Sequence, residues 1–311
     1  MANPAQRPPV ALSTMWAVQP PYERDLAAFA RLAAEAGYGA VEINHSMDRR
    51  QAAELLACSV LPVASVHAPA PLEDHPRLGP NRVLNLASDD AAERTAAIGY
   101  TARSFDLARR AGARFVVVHL GQIGGAPFAA ETRLRELYAA GQRSGEPWQQ
   151  AIDDARRERA RLAPRALAQA ASTLHTLAPA AEAAGVTIGL ESRLEYHHIP
   201  LPAEAAELLA PYAPQVAGYW HDSGHSEVLH RLGLVPLEDW WRQVGPRLVG
   251  LHVHDVRGLV DHRAPGNGDL DFRALAAHIP AGAAITLEID QHEPAADLAR
   301  ALDVLRAAGV W

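Results

Sequence analysis

The 311-residue sequence predicts an α/β chain folded as a single-domain (β/α)8 TIM barrel, and three observations predict it. Eight short apolar runs rich in β-branched residues recur along the chain. Alanine-, leucine- and arginine-rich stretches with apolar residues three and four apart lie between most of them. Several of those stretches stop at an Ala-Gly pair just before the next apolar run, where a helix would end on a left-handed glycine. Eight such units need roughly 250 residues, which the chain supplies. A doubly wound open sheet is the competing architecture, but no Gly-x-Gly-x-x-Gly follows the first apolar run.

In order, the predicted strands are Val10–Ser13, Ala40–Ile43, Val63–His67, Phe115–His119, Thr187–Glu191, Val216–Trp220, Leu248–His252 and Ile285–Ile289. Helical spacing is clearest over Asp25–Ala36, Ala91–Ala111 and Ala295–Ala308, and the stop signals are Gly37, Gly112, Gly185 and Gly309. Residues 1–9 are polar and proline-rich and read as a disordered N-terminal segment, with the barrel over 10–311. Between the fourth and fifth strands, from Gly121 to about Pro164, a helical insertion is expected, with helices over Glu131–Gln142 and Trp148–Leu162. It could be a lid, a subunit contact or an extra packed hairpin. His67–Ala91 is proline-rich and reads as a loop over the barrel mouth, and Pro265–Asp269 as a turn.

Composition removes several kinds of chemistry. The chain carries 29 basic and 36 acidic side chains for a net charge of −7, which argues against a protein that lives on phosphate backbones. Every basic residue is arginine. Without lysine there is no Schiff-base or pyridoxal-phosphate chemistry and no P-loop, and arginine is too basic to stand in. One cysteine, Cys58, excludes a disulfide framework and a cysteine-rich zinc site. No apolar run reaches about 18 residues, so no membrane span is expected, and a cytoplasmic location is.

The chemistry of such barrels sits on the loops at the carboxyl ends of the strands. The second strand carries Glu42; the third, fourth and fifth end on His67, His119 and Glu191. The sixth runs into His221-Asp222-Ser223-Gly224-His225, the seventh holds His252, His254 and Asp255, and the eighth Glu288 and Asp290. Apolar strands that finish on carboxylates and imidazoles converge on one axis, at a desolvation cost that a divalent cation would offset. Carboxylate and imidazole without thiolate suit manganese, cobalt, zinc, magnesium or iron(II). A mixed site of this kind at a barrel mouth usually keeps a position open for substrate. For His67 and His119 a structural reading stays open, as does one for Glu42. His254 shares a face with His252 and could be a support rather than a ligand. Trp16, Trp148 and Trp220 are candidates to stack on a bound ring, and Trp240-Trp241 reads as a helix packing face.

These stretches resemble the xylose isomerase-like barrels, the sugar phosphate isomerase/epimerase group that also takes in AP endonuclease family 2. The resemblance runs from about Val10 to Ala308 and rests on SVHAP (65–69), VVVHLG (116–121), LES (190–192), YWHDSGH (219–225), LHVHDVRG (251–258), DHRAPGNGDLDF (261–272) and LEID (287–290). It implies a single metal held by Glu191, Asp222, His252 and Glu288, with manganese the expected ion. His225 and Arg193 would face the substrate, and His67, His119, Glu42, His254 and His262 would complete the binding site. The implied activity is isomerisation or epimerisation of a sugar or related hydroxy-carbonyl compound through an enediolate, with Glu191 and Glu288 moving the proton. An inosose-type dehydratase could use the same apparatus. The alternative is a multi-metal phosphodiester hydrolase resembling endonuclease IV, with His67, His119 and His262 as further ligands. There the carboxylate expected two residues before His262 is missing: Val260 stands in that place and Asp261 is one position off. The resemblance implies a small-molecule sugar or polyol-derived substrate, no nucleic acid or membrane partner, and a homodimer or homotetramer.

Overall fold

The computed structural model describes residues 8–311. Most of the expected disordered segment, residues 1–7, lies outside the described residues. Eight parallel strands close into a barrel: β1 (Ala11–Ser13), β2 (Ala40–Ile43), β3 (Val63–His67), β4 (Phe115–Val118), β5 (Thr187–Glu191), β6 (Ala217–Asp222), β7 (Leu248–Val253) and β8 (Ala284–Leu287). Each pairs with its sequence neighbours, and β1 pairs with β8 to complete the ring. All eight lie within two residues of the expected positions, because every run is apolar enough to be buried on both faces.

The outer layer is helical: α1 (Leu26–Ala36), α2 (Arg49–Cys58), α3 (Ala91–Ala111), α4 (Ala129–Ala139), α5 (Glu146–Ala184), α6 (Pro202–Leu209), α7 (Ser223–Arg231), α8 (Leu237–Gln243), α9 (Phe272–Ala276) and α10 (Ala295–Ala308). The expected glycines terminate α1, α3, α5 and α10, each in the left-handed conformation with the closing backbone bonds of a C-cap. The insertion differs from expectation in extent. α5 does not stop near Pro164 but runs 39 residues through Pro164 and Pro179. Each proline removes an amide and costs a helix interior about 3 kcal/mol. Burial of Ala163, Ala166, Ala170, Leu174, Leu177 and Ala181 along one face holds the helix together against that cost. Residues 67–91 form the expected loop, which carries a two-residue ribbon (74–75 with 79–80) organised by the buried Asn81.

Trp220 fills the barrel interior instead of facing a ligand. A Cβ at Gly250 would stand 2.1 Å from its ring and one at Gly189 2.8 Å, so both positions require glycine. Trp148 is buried on α5, and the Trp16 indole donates to the Glu293 carbonyl from inside the core, so none of the three is an open platform. Trp240 packs in the core, stacked on Tyr219. Among the described residues, no helix is long and apolar enough to cross a membrane.

Candidate metal centre

The register of the barrel sets polar side chains at one height. Ser13 pairs with Glu42, Glu42 with Ser65, and Asp222 with His252. Just beyond the pleats, the carboxyl ends of β5, β6, β7 and β8 bring Glu191, Asp222, His252 and Glu288 together, all nearly or fully buried.

His252 is the hub. Its Nδ1 lies 2.7 Å from Glu191 Oε1, 3.1 Å from Glu288 Oε2 and 3.9 Å from Asp222 Oδ2. Its Nε2 lies 3.1 Å from Glu42 Oε2, which also accepts from Ser65 Oγ at 2.7 Å. Burial opposes the imidazolium, but Glu288, Glu42 and Glu191 outweigh it and raise the His252 pKa well above its ordinary value. Burial likewise works to raise the Glu191 and Glu288 pKa values, yet the surrounding histidines pull both well below the carboxylate range. A single Nδ1–H facing three carboxylates cannot donate to all of them. His252 Nδ1 has a carboxylate oxygen of Glu191, Glu288 and Asp222 within 4 Å, a mixed nitrogen and oxygen donor set of the kind a divalent metal takes, and the residues fit that group. The contact between Glu42 and His252 Nε2 has the form of the carboxylate–histidine support that orients imidazoles at metal sites.

Around this hub stand the other expected residues. His67 Nε2 is 3.5 Å and His119 Nε2 2.6 Å from Glu191 Oε2, with Arg193 Nη1 at 3.3 Å. Burial and the Arg193 charge push the His119 pKa well down, whereas carboxylates raise that of His67 against its burial. His67, Glu191, His252 and Glu288 hold ligand atoms within 4.8 Å of one another. Asp222, His225, His254 and His262 form a second such group beside it.

Hydrogen bonds assign tautomers in that second group. His225 Nδ1 donates to the Ser192 carbonyl at 3.0 Å, which leaves Nε2 bearing the lone pair, 3.7 Å from Asp261 Oδ2. Burial lowers the His225 pKa, so the ring stays neutral. His254 Nδ1 instead accepts the His262 backbone N–H at 2.8 Å, so the proton sits on Nε2 and is donated to Asp222 at 2.9–3.0 Å. With Nδ1 taken by a backbone amide and Nε2 by the carboxylate, His254 supports Asp222 rather than facing a ligand. Its ring fits only because residue 224 is glycine: a Cβ there would meet His254 Cε1 at 2.1 Å. Glu42 is likewise enclosed, beneath His252. His262 has φ +54°, a backbone conformation uncommon outside glycine, and stacks on His254 at 4.2 Å between centroids. Its Nδ1 is 3.2 Å from Asp261 and its Nε2 3.7 Å from Glu288. Asp261 takes the place beside His262 while Val260 is exposed. Asp255 accepts the Gly266, Gly268 and Leu270 amides and shapes the expected turn.

Two residues of the mouth escaped the sequence reading. Asn44 donates to Glu288 Oε1 at 2.9 Å. His45, on the loop after β2, packs its ring 4.8 Å from His67 and 5.9 Å from His119. The signal available was position, since both follow the end of β2 directly.

Comparison with known proteins bears on the fold. Among the curated proteins, no sequence matches. Solved structures align over nearly the whole chain. A D-tagatose 3-epimerase-like protein is 18% identical, covering 97% of each chain at a TM-score of 0.65. The apo 3-keto-D-glucoside 4-epimerase of E. coli is 16% identical, with 96% of this chain and 98% of that one covered at 0.65. A xylose isomerase described as putative, from Rhodospirillum rubrum, is 15% identical, with 96% and 98% covered at 0.68. The family model described as xylose isomerase-like TIM barrel matches residues 30–308. The chain belongs to the xylose isomerase-like TIM barrel family.

Proposed function

We propose that the protein is a divalent-metal-dependent isomerase or epimerase of a sugar or related hydroxy-carbonyl compound. The observation that carries this reading is the convergence of Glu191, Asp222 and Glu288 on His252 Nδ1 at the mouth of the barrel. The structural neighbours named above include proteins described as sugar 3- and 4-epimerases, which supports the same class.

Glu191, Asp222, His252 and Glu288 would hold the ion, with manganese the expected metal. The bound cation would supply Lewis-acid polarisation of the substrate carbonyl and stabilise the negative charge of an enediolate. Glu191 and Glu288 reach the centre from different strands, β5 and the end of β8, so a substrate between them has a carboxylate on either side. One carboxylate removes the proton α to the carbonyl and the other returns one. His225 presents a neutral Nε2 as acceptor for a substrate hydroxyl, and Arg193, beside Glu191, donates to substrate oxygens. Enclosure of these groups strengthens each charge on the substrate. Loss of a β-hydroxyl after the same proton abstraction would give dehydration instead.

The test is a panel of ketoses and inososes assayed after chelator treatment and after adding back manganese or cobalt. Reversible interconversion of a ketose pair, abolished by chelator and restored by metal, is the expected result. Metal-independent turnover, or none on any hydroxy-carbonyl compound, would sink the proposal. A second reading, phosphodiester hydrolysis by a multi-metal centre, is favoured by one observation: His67 and His119, its expected further ligands, stand 3.5 Å and 2.6 Å from Glu191 Oε2 beside the first centre. Cleavage of a bis-aryl phosphodiester in the same assay would support it.

A further inference from the structure

A separate cluster lies where the insertion meets the loop after β5. Glu131 projects from α4 and is fully buried; His197, on the loop, is 2% exposed. Glu131 Oε1 accepts from the Tyr196 N–H and from Arg135, each at 3.0 Å. Its other oxygen, Oε2, is buried with no hydrogen-bond partner, and so are His197 Nδ1 and His198 Nδ1. His197 Nδ1 stands 3.3 Å from Glu195 Oε2 and 3.8 Å from Glu131 Oε2. Glu195, His197 and His198 place ligand atoms within 4.8 Å of one another. Arg135 balances one of the two carboxylates, which leaves one negative charge uncompensated in a mostly buried setting, a costly arrangement without a further cation.

The spacings suit a metal better than a proton. Nitrogen and oxygen ligands about 2.1 Å from one zinc ion stand roughly 3.4 Å apart, close to both His197 contacts. Neither contact makes a well-aligned hydrogen bond. We propose that Glu195, His197 and His198, backed by Glu131, form a second divalent-metal site of the zinc class, distinct from the centre at His252. All three ligands lie on the loop after β5, and Glu131 of α4 stands behind them 3.8 Å from His197 Nδ1, so the ion would hold that loop against the insertion. With no thiolate and one partly exposed carboxylate, the site leaves room for water to complete the shell.

The test strips the full-length protein with chelator, titrates it with zinc chloride and counts zinc per chain after desalting. Wild type should retain one equivalent more than Glu195→Gln and His197→Asn, and Asp222→Asn should still hold that equivalent. Identical zinc content and titration curves in wild type and Glu195→Gln would overturn the proposal, as would loss of that equivalent in Asp222→Asn alone. Glu195 is partly exposed, so its variant keeps the test decisive should His197→Asn fail to fold. The outcome does not depend on turnover and so stands apart from the proposed activity.

Discussion

Two histidines two residues apart at the carboxyl end of β7 meet opposite surroundings. His252 has carboxylates on both ring nitrogens, Glu42 below and Glu191 and Glu288 above. His254 has a backbone amide on one nitrogen and a single carboxylate, Asp222, on the other. The first ring faces more negative charge than its protons can satisfy, a setting that suits a cation. The second ring has its lone pair committed to the chain and can only hold Asp222 still. Residue type is the same; the partner of the second nitrogen decides which ring is free to meet a cation and which can only position its neighbour.

This contrast can be broken from its strong side first. Glu288→Gln and Glu191→Gln each remove a carboxylate from the hub, and turnover should fall about 10²–10⁴-fold. Kinetics on the best substrate check this, and near-normal turnover in both would contradict the assignment. On the weak side, His254→Ala leaves Asp222 without its donor, and metal affinity should fall about 10–100-fold. His254→Gln, whose amide can still reach Asp222, should recover part of the loss; equal losses in both variants would argue against an orienting role. Gly224→Ala forces a methyl into the His254 ring and should destabilise the fold by about 1–3 kcal/mol, while weakening metal binding as His254→Ala does. Denaturant melts of that variant with and without metal separate the two effects.

A subtler effect lies in acid. Burial lowers the pKa of His45 and of His221 to about 3. Each therefore stays neutral in the folded chain while the unfolded chain takes up a proton below about pH 6.5. The unfolded state binds more protons in that window, so stability falls as pH drops from about 6.5 to about 3, by at most about 1.4 kcal/mol per pH unit for each ring. Urea melts across this range should show the slope, and His45→Asn should flatten it. The smallest effect is expected at His292, exposed and paired only with Asp290, where alanine should change stability by less than about 0.5 kcal/mol.

Much of the architecture was legible because strand burial is a one-dimensional signal. Phe115–Val118 is apolar throughout and Thr187–Glu191 is apolar between its ends, both are buried along their length, and glycine marks the helix end before each. α5 was misjudged because local chemistry places a break at Pro164, whereas the packing that overrides it comes from residues distant in sequence. At the mouth, groups that end strands could be listed, since parallel register brings strand ends to one height. What each does depended on contacts no spacing encodes. Asn44 was overlooked because an amide gives no charge signal, and His45 because loops are unpatterned. The same limit kept the tautomer of His254 and the strained backbone of His262 out of reach. Trp220 looked like a sugar platform by type, but its alternation along β6 turns it into the barrel interior.

The most direct test of the central claim is solvent exchange. The metal-loaded protein is incubated with a ketose in deuterium oxide, and the carbon next to the carbonyl is followed by NMR. Deuterium is expected at that carbon, at a rate tied to turnover, in wild type and not in Glu288→Gln that still carries its metal. Epimerisation or isomerisation without deuterium entry, or exchange that persists unchanged in Glu288→Gln and Glu191→Gln, would contradict that claim.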